Sequence, residues 1–144
     1  MTWKASIDNR DAKVAVIGLG YVGLPLAVEI AKAQLHVVGI DVSDSKVNEI
    51  GRGETSLTDV DIEELKAVVT SGRLIPTTSI EELNNVDAII ICVPTPLNKT
   101  KDPDISYIVN ACTGISKHLK KGQLVVLEST TYPGFTREVA VPLL

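Results

Sequence analysis

Residues 14–23 read Val14-Ala15-Val16-Ile17-Gly18-Leu19-Gly20-Tyr21-Val22-Gly23, an apolar run that breaks into Gly-x-Gly-x-x-Gly and continues as a helical pattern. This is the order of a first strand, a phosphate-binding turn and a first helix. Gly18 permits the tight turn, Gly20 leaves bare backbone for a pyrophosphate, and Gly23 lets helix and strand pack closely. Free N–H groups at the helix start then face the phosphates, where the helix dipole favours negative charge. Glycines also mark ordinary turns, so the triplet needs its context. The next strand pattern, His36-Val37-Val38-Gly39-Ile40, supplies it by ending on Asp41. An acid about 20 residues past the glycines accepts hydrogen bonds from the adenosine ribose hydroxyls. A 2′-phosphate would meet that carboxylate, and no arginine follows directly, so the pattern favours NAD over NADP. Lys46, one helical turn further on, reads equally as a neighbour of the adenosine or as a solvated lysine on a short surface helix.

The chain has 144 residues, enough for one domain with a real core. A net charge of −4 and 3% aromatics provide neither the basic footprint nor the stacking platforms of nucleic-acid binders. Residues 1–12 form a polar leader without the apolar stretch of a secretory signal, and no later run approaches a membrane span. The expectation is a cytoplasmic protein with no membrane or nucleic-acid partner, whose domain occupies 13–144. The two cysteines, Cys92 and Cys112, lack metal-type spacing and fall in apolar patterns, so both read as reduced packing residues. His36 and His118 sit at element ends and read as surface residues. No metal site is expected.

Along the chain, helical patterns cover 22–33, 44–50 and 58–71, the last with Thr58 and Asp61 as a capping pair. Gln34 stands where a helix-ending glycine is usual, so a residue without glycine's freedom must close that turn. A strand over 73–77 contains Pro76, which cannot donate to a ladder and so belongs at a sheet edge. Ser79 and Glu82 suggest another capping box. The run 87–93 is apolar on both faces, as a central parallel strand would be. Asp104 then caps a helix reaching Leu119, and 124–128 is a fifth strand followed by a short helical pattern at 136–139. These elements predict an α/β fold: a Rossmann-type doubly wound parallel sheet of order 3-2-1-4-5, ending before a sixth strand.

Loops at the carboxyl ends of such strands line the ligand crevice. Val93, Pro94, Thr95, Pro96 and Leu97 are therefore a candidate wall, and Ser129, Thr130 and Thr131 either face them or cap the following helix.

Four stretches taken together carry a resemblance: Gly18-Leu19-Gly20-Tyr21-Val22-Gly23-Leu24-Pro25-Leu26, Val93-Pro94-Thr95-Pro96-Leu97-Asn98-Lys99, Pro103-Asp104-Ile105-Ser106-Tyr107-Ile108 and Leu127-Glu128-Ser129-Thr130-Thr131-Tyr132-Pro133-Gly134. They resemble the amino-terminal domain of the UDP-glucose/GDP-mannose dehydrogenase family, and within it the UDP-N-acetylglucosamine 6-dehydrogenases. The resemblance covers nearly everything after Lys13. It implies NAD-dependent four-electron oxidation of the sugar C6 alcohol of a UDP-sugar to a carboxylate, through aldehyde and cysteine-bound thioester stages, in a homo-oligomeric enzyme of polysaccharide biosynthesis. By position it implies that Gly18, Leu19, Gly20, Tyr21, Val22 and Gly23 hold the pyrophosphate. Asp41 and Lys46 would hold the adenosine ribose side. Val93, Pro94, Thr95, Pro96 and Leu97 would enclose the nicotinamide half with Ser129, Thr130 and Thr131, and Thr130 would order a water near the reaction centre. The family's nucleophilic cysteine, its lysine and aspartate partners and most of its sugar site lie in segments outside this sequence, which the resemblance thus implies is a fragment, inactive alone. Gln34 and Phe135 depart from the family's pattern, which commonly has a glycine and a smaller polar residue there. UDP-glucose or UDP-N-acetylmannosamine remain alternative substrates, and a non-enzymatic module sensing NAD or a nucleotide is the alternative of another class.

Overall fold

The computed structural model describes residues 3–144. Five parallel strands form one sheet of order β3-β2-β1-β4-β5: β1 (Lys13–Ile17), β2 (His36–Ile40), β3 (Leu74–Thr77), β4 (Ala88–Ile91) and β5 (Leu124–Leu127). This is the doubly wound Rossmann-type order that the alternation of strand and helix patterns predicts. Helix α1 (Trp3–Asp8), which the sequence reading does not anticipate, precedes β1, and the Ala12 N–H donates to the Ser6 carbonyl at 3.1 Å. Helices α2 (Gly23–Lys32), α3 (Asp44–Gly51), α4 (Ile62–Thr70) and α5 (Ser106–Ser116) follow the strands.

Alternation along the strands fills both faces of the sheet. Val14 and Val16 pack with Leu24, Ala27, Leu65 and Leu74 beneath α2 and α4, while Ala15 and Ile17 pack with Ile89, Ile108, Cys112 and Ile115 on the α5 side. Successive strand side chains point to opposite faces, so one five-residue strand seeds two cores. Cys112 is fully buried and Cys92 nearly so, as packing residues. Pro76 sits opposite Gly39 on β3, which pairs with β2 alone, so its missing donor faces away from any ladder.

Several element ends differ from the sequence reading. The closure of α2 is as expected, with Gln34 in a left-handed conformation at φ 69° and its N–H on the Ala31 carbonyl at 2.9 Å. Helix α4 starts later than position 58, because Asp61 alone caps it, accepting from the Glu63 and Glu64 N–H groups at 2.8 and 3.1 Å. Ser79 makes no cap bond, and Ile80–Asn85 is a 3₁₀ turn rather than an α-helix. Helix α5 ends at Ser116, short of Leu119, while Asp104 accepts from the Ser106 N–H at 2.9 Å. Strand β4 stops at Ile91, just before the proline-rich turn. Phe135 is buried against the α5 side, edge-on to Tyr132, ahead of a helical turn of π type over Thr136–Ala140. Among the described residues no helix is long and apolar enough to cross a membrane.

Candidate functional site

The turn between β1 and α2 is shaped by two steric facts. Gly18 has φ +93°, and a side chain there would place Cβ 2.6 Å from the Cys92 carbonyl oxygen. Gly23 lies so close to the Gly18 carbonyl that any Cβ would overlap it. Gly20 is different: a Cβ on it would meet nothing within 4 Å, because it faces open space at the mouth of the cleft. Helix α2 has no side-chain cap, and among the described residues the N–H groups of Gly20, Tyr21 and Val22 donate to no protein atom. Backbone donors at an uncapped helix start, beside a residue with no side chain, form a cradle that a phosphate can satisfy.

Asp41 lies at the end of β2 and is only 8% exposed. Its Oδ2 accepts from the Leu19 N–H at 2.9 Å and from the Lys46 ammonium at 3.0 Å, and its Oδ1 accepts from the Ser43 N–H at 3.0 Å. Burial alone would raise its pKa, but these donors outweigh it and hold the carboxyl below its ordinary value of 3.8. Asp41 therefore braces the glycine turn through Leu19, and its Oδ1 accepts one protein hydrogen bond where its Oδ2 accepts two. Ser43 caps α3 through its hydroxyl, which fixes Lys46 in the first turn of that helix, on Asp41.

Across the sheet, the carboxyl ends of β4 and β5 meet. The Ser129 hydroxyl donates to the Val93 carbonyl at 2.8 Å, and the Glu128 N–H donates to the Ile91 carbonyl at 3.0 Å. The single hydroxyl proton of Ser129 is thus spent on joining the two loops. After Pro96 the chain makes a closed hairpin: Leu97 bridges Pro103, and Asn98 Oδ1 accepts from the Thr100 and Asp102 N–H groups, both at 3.0 Å.

These segments enclose a cleft of about 430 Å³ lined by Gly18, Gly20, Tyr21, Val22, Asp41, Lys46, Cys92, Val93, Pro94, Thr95, Glu128, Ser129 and Thr130. Most of the residues singled out in the sequence converge there. Leu19 contributes its backbone, its side chain being buried in the core, and Gly23 lies beneath the turn. Pro96, Leu97 and Thr131 stand outside the lining, the Pro96 carbonyl being taken by the Asp104 N–H at 2.7 Å. Cys92 and Glu128 were missed. Both flank loops already singled out, so the topology was a sufficient signal. A second cavity of about 340 Å³ adjoins the first across Gly20, Tyr21 and Lys46, and adds Ser43, Ser45, Glu49, Thr55, Ser56 and Leu57. No pattern in the sequence marks residues 55–57 as neighbours of the glycine turn.

The cleft is poorly equipped for covalent chemistry. Burial, with the nearby Glu128 charge, pushes the Cys92 thiol up to about 11, and burial likewise raises Cys112. Neither is a thiolate near neutral pH. Among the described residues no three His, Cys, Asp or Glu side chains gather as a metal site requires.

Comparison with known proteins agrees with this geometry. Residues 12–144 match the UDP-glucose/GDP-mannose dehydrogenase family, NAD binding domain. The chain is 45% identical over 135 residues to UDP-N-acetyl-D-glucosamine 6-dehydrogenase of Pseudomonas aeruginosa, covering 94% of this chain and 31% of that protein. It is 41% identical to UDP-N-acetyl-D-mannosamine dehydrogenase of Escherichia coli K12, over 90% of this chain and 30% of the relative. A solved ternary complex of GDP-mannose dehydrogenase from Pseudomonas aeruginosa superposes with a TM-score of 0.86 at 32% identity, over 90% of this chain and 31% of that one. The chain thus spans about a third of the length of the relatives it matches.

Proposed function

Since this chain belongs to the UDP-glucose/GDP-mannose dehydrogenase family, as its NAD-binding domain, we propose that it is the cofactor half of a UDP-sugar 6-dehydrogenase acting on UDP-N-acetylglucosamine. The observation that carries this reading is the convergence of the glycine turn, Asp41 and the two carboxyl-end loops on one cleft. The cradle at Gly20 and the free donors at the start of α2 fit a pyrophosphate, and Asp41 Oδ1, with its one protein hydrogen bond, fits a ribose hydroxyl.

Each NAD, when bound, would accept one hydride, so the four-electron oxidation of the sugar alcohol would use two NAD in succession. The work of this chain is to hold and shield it. The turn from Gly18 to Val22 binds the phosphates, with Gly23 letting α2 pack beneath them, and Asp41 with Lys46 fixes the adenosine ribose. Val93, Pro94 and Thr95, with Ser129 beside them, exclude water from the nicotinamide half, and Pro96, Leu97 and Thr131 continue the two loops that carry them. The exposed Thr130 hydroxyl at the rim holds a water toward the substrate. The same reading takes the longer protein to be a cytoplasmic homo-oligomer in polysaccharide biosynthesis. It takes residues 13–144 as the domain and this chain alone as inactive, because neither thiol is an accessible thiolate.

Steady-state rates of the longer protein with four sugars test the substrate. UDP-N-acetylglucosamine should be fastest, and a clear preference for UDP-N-acetylmannosamine, UDP-glucose or GDP-mannose overturns that choice. Mixing the 144-residue chain with NAD and each sugar should give no reduced-cofactor absorbance. Turnover that vanishes in Cys92→Ser or Cys112→Ser would put the nucleophile in this chain.

A further inference from the structure

The second cavity bears on how the domain tells NAD from NADP. It lies on the far side of Lys46 from the Val93–Thr130 walls, bounded by Ser43 and Lys46, the residues that hold the two oxygens of Asp41. A ribose held on Asp41 Oδ1 would sit beside Ser43, whose N–H donates to that oxygen and which bounds this space, so a 2′-phosphate on it would reach the cavity. At about 340 Å³ the cavity has far more room than a phosphate group needs, so a 2′-phosphate meets no steric barrier. Four serines and threonines line the cavity, Ser43 and Ser45, whose Oγ atoms stand 3.1 Å apart, and Thr55 and Ser56, and such groups would accommodate phosphate oxygens. The charges work the other way. Lys46 is already committed to Asp41 at 3.0 Å, whereas Glu49, one turn along the same face of α3, lines the cavity and has no cationic partner among the described residues. Asp41, Lys46 and Glu49 together present one net negative charge to anything placed there.

We propose that this domain excludes NADP by charge rather than by shape, and that Glu49 is a specificity-determining residue that acts with Asp41 against a 2′-phosphate. The proposal rests on the cofactor reading above. Repulsion between a carboxylate and a phosphate across a solvent-open cavity is screened by salt, whereas a steric clash is not.

The test is calorimetric titration of the 144-residue chain with NAD and NADP, at low and high salt, for the wild type, Glu49→Gln and Glu49→Lys. The NAD-to-NADP affinity ratio cancels the salt dependence common to the shared pyrophosphate. That ratio should fall as salt rises. Glu49→Gln should raise NADP affinity about fivefold to tenfold while NAD changes less than twofold, and Glu49→Lys should raise NADP affinity further. A ratio indifferent to salt, or a Glu49→Gln protein in which both affinities move together or neither moves, overturns the proposal while leaving the NAD site intact. If neither nucleotide binds, the cofactor reading falls, and this inference with it.

Discussion

The two sides of the cleft are built differently. On the side proposed for the adenosine, the glycine turn, Asp41 and Lys46 come from one continuous β-α-β-α stretch, and they are already tied together by Asp41's three hydrogen bonds. On the other side, the wall joins the ends of β4 and β5, far apart in sequence, through neutral bonds alone: the Ser129 hydroxyl on the Val93 carbonyl and the Glu128 and Ser129 N–H groups on the Ile91 carbonyl, beside an exposed hairpin closed on itself. A buried, charge-assisted network preorganises its site more strongly than a few neutral, part-buried bonds do. The adenosine side should therefore set affinity, and the opposite wall should adjust the position of what is bound there.

The largest expected effect is on the adenosine side. Gly23→Ala forces a methyl group into the Gly18 carbonyl, where backbone meets backbone and no rotamer relieves the overlap. We expect a loss of about 3 kcal/mol or more, and a melting temperature lower by roughly 10 °C, with NAD binding lost even where the fold survives. Normal stability in this variant would show that the turn is looser than its geometry implies.

Asp41→Ala comes next. It removes hydrogen bonds to a charged group worth about 1.5–3 kcal/mol each, and should weaken NAD about tenfold or more in calorimetry. The same carboxylate makes stability depend on acid. Its folded pKa lies below 3.8, so its contribution is full above that value and is lost as pH falls through the lower folded value. Urea melts of wild type and Asp41→Asn should differ at pH 6 and converge as the pH drops toward 2. A constant gap would mean that the charge of Asp41 does not brace the turn.

Ser129→Ala should have the smallest effect of the three, about 1 kcal/mol. Because the lost bond joins the nicotinamide-side loops, NAD should weaken about fivefold while AMP, which reaches only the adenosine side, is unchanged. Equal weakening of both ligands would erase the distinction between the two walls.

The same division governs how much of the molecule was legible in the sequence. Sheet order follows from apolar runs and from Pro76 at an edge, because strand burial and the missing proline donor are local properties of the chain. Gln34 closing α2 was legible for the same reason. Element ends were less so. Thr58 and Asp61 can each cap a helix, Asp61 more strongly through its charge, and the spacing alone put the start of α4 too early. At the site, Asp41 was legible from its spacing to the glycines. That Ser129 spends its proton on Val93, or that 55–57 sit beside Gly20, depends on loops brought together by the finished sheet, and no periodicity encodes it. Phe135 illustrates the limit: the sequence marks it only as a departure from the pattern it resembles, and only the fold shows that it fills the α5-side core.

The account's central claim is that this chain is an NAD-holding domain whose affinity is set on the adenosine side. The most direct measurement is one calorimetric series on the 144-residue chain with NAD and AMP, for the wild type, Asp41→Ala and Ser129→Ala. The account expects one NAD per chain, both ligands weakened about tenfold by Asp41→Ala, and NAD alone weakened, by a smaller factor, in Ser129→Ala. Failure of the wild type to bind NAD, or NAD affinity that ignores Asp41 and follows Ser129, would contradict it.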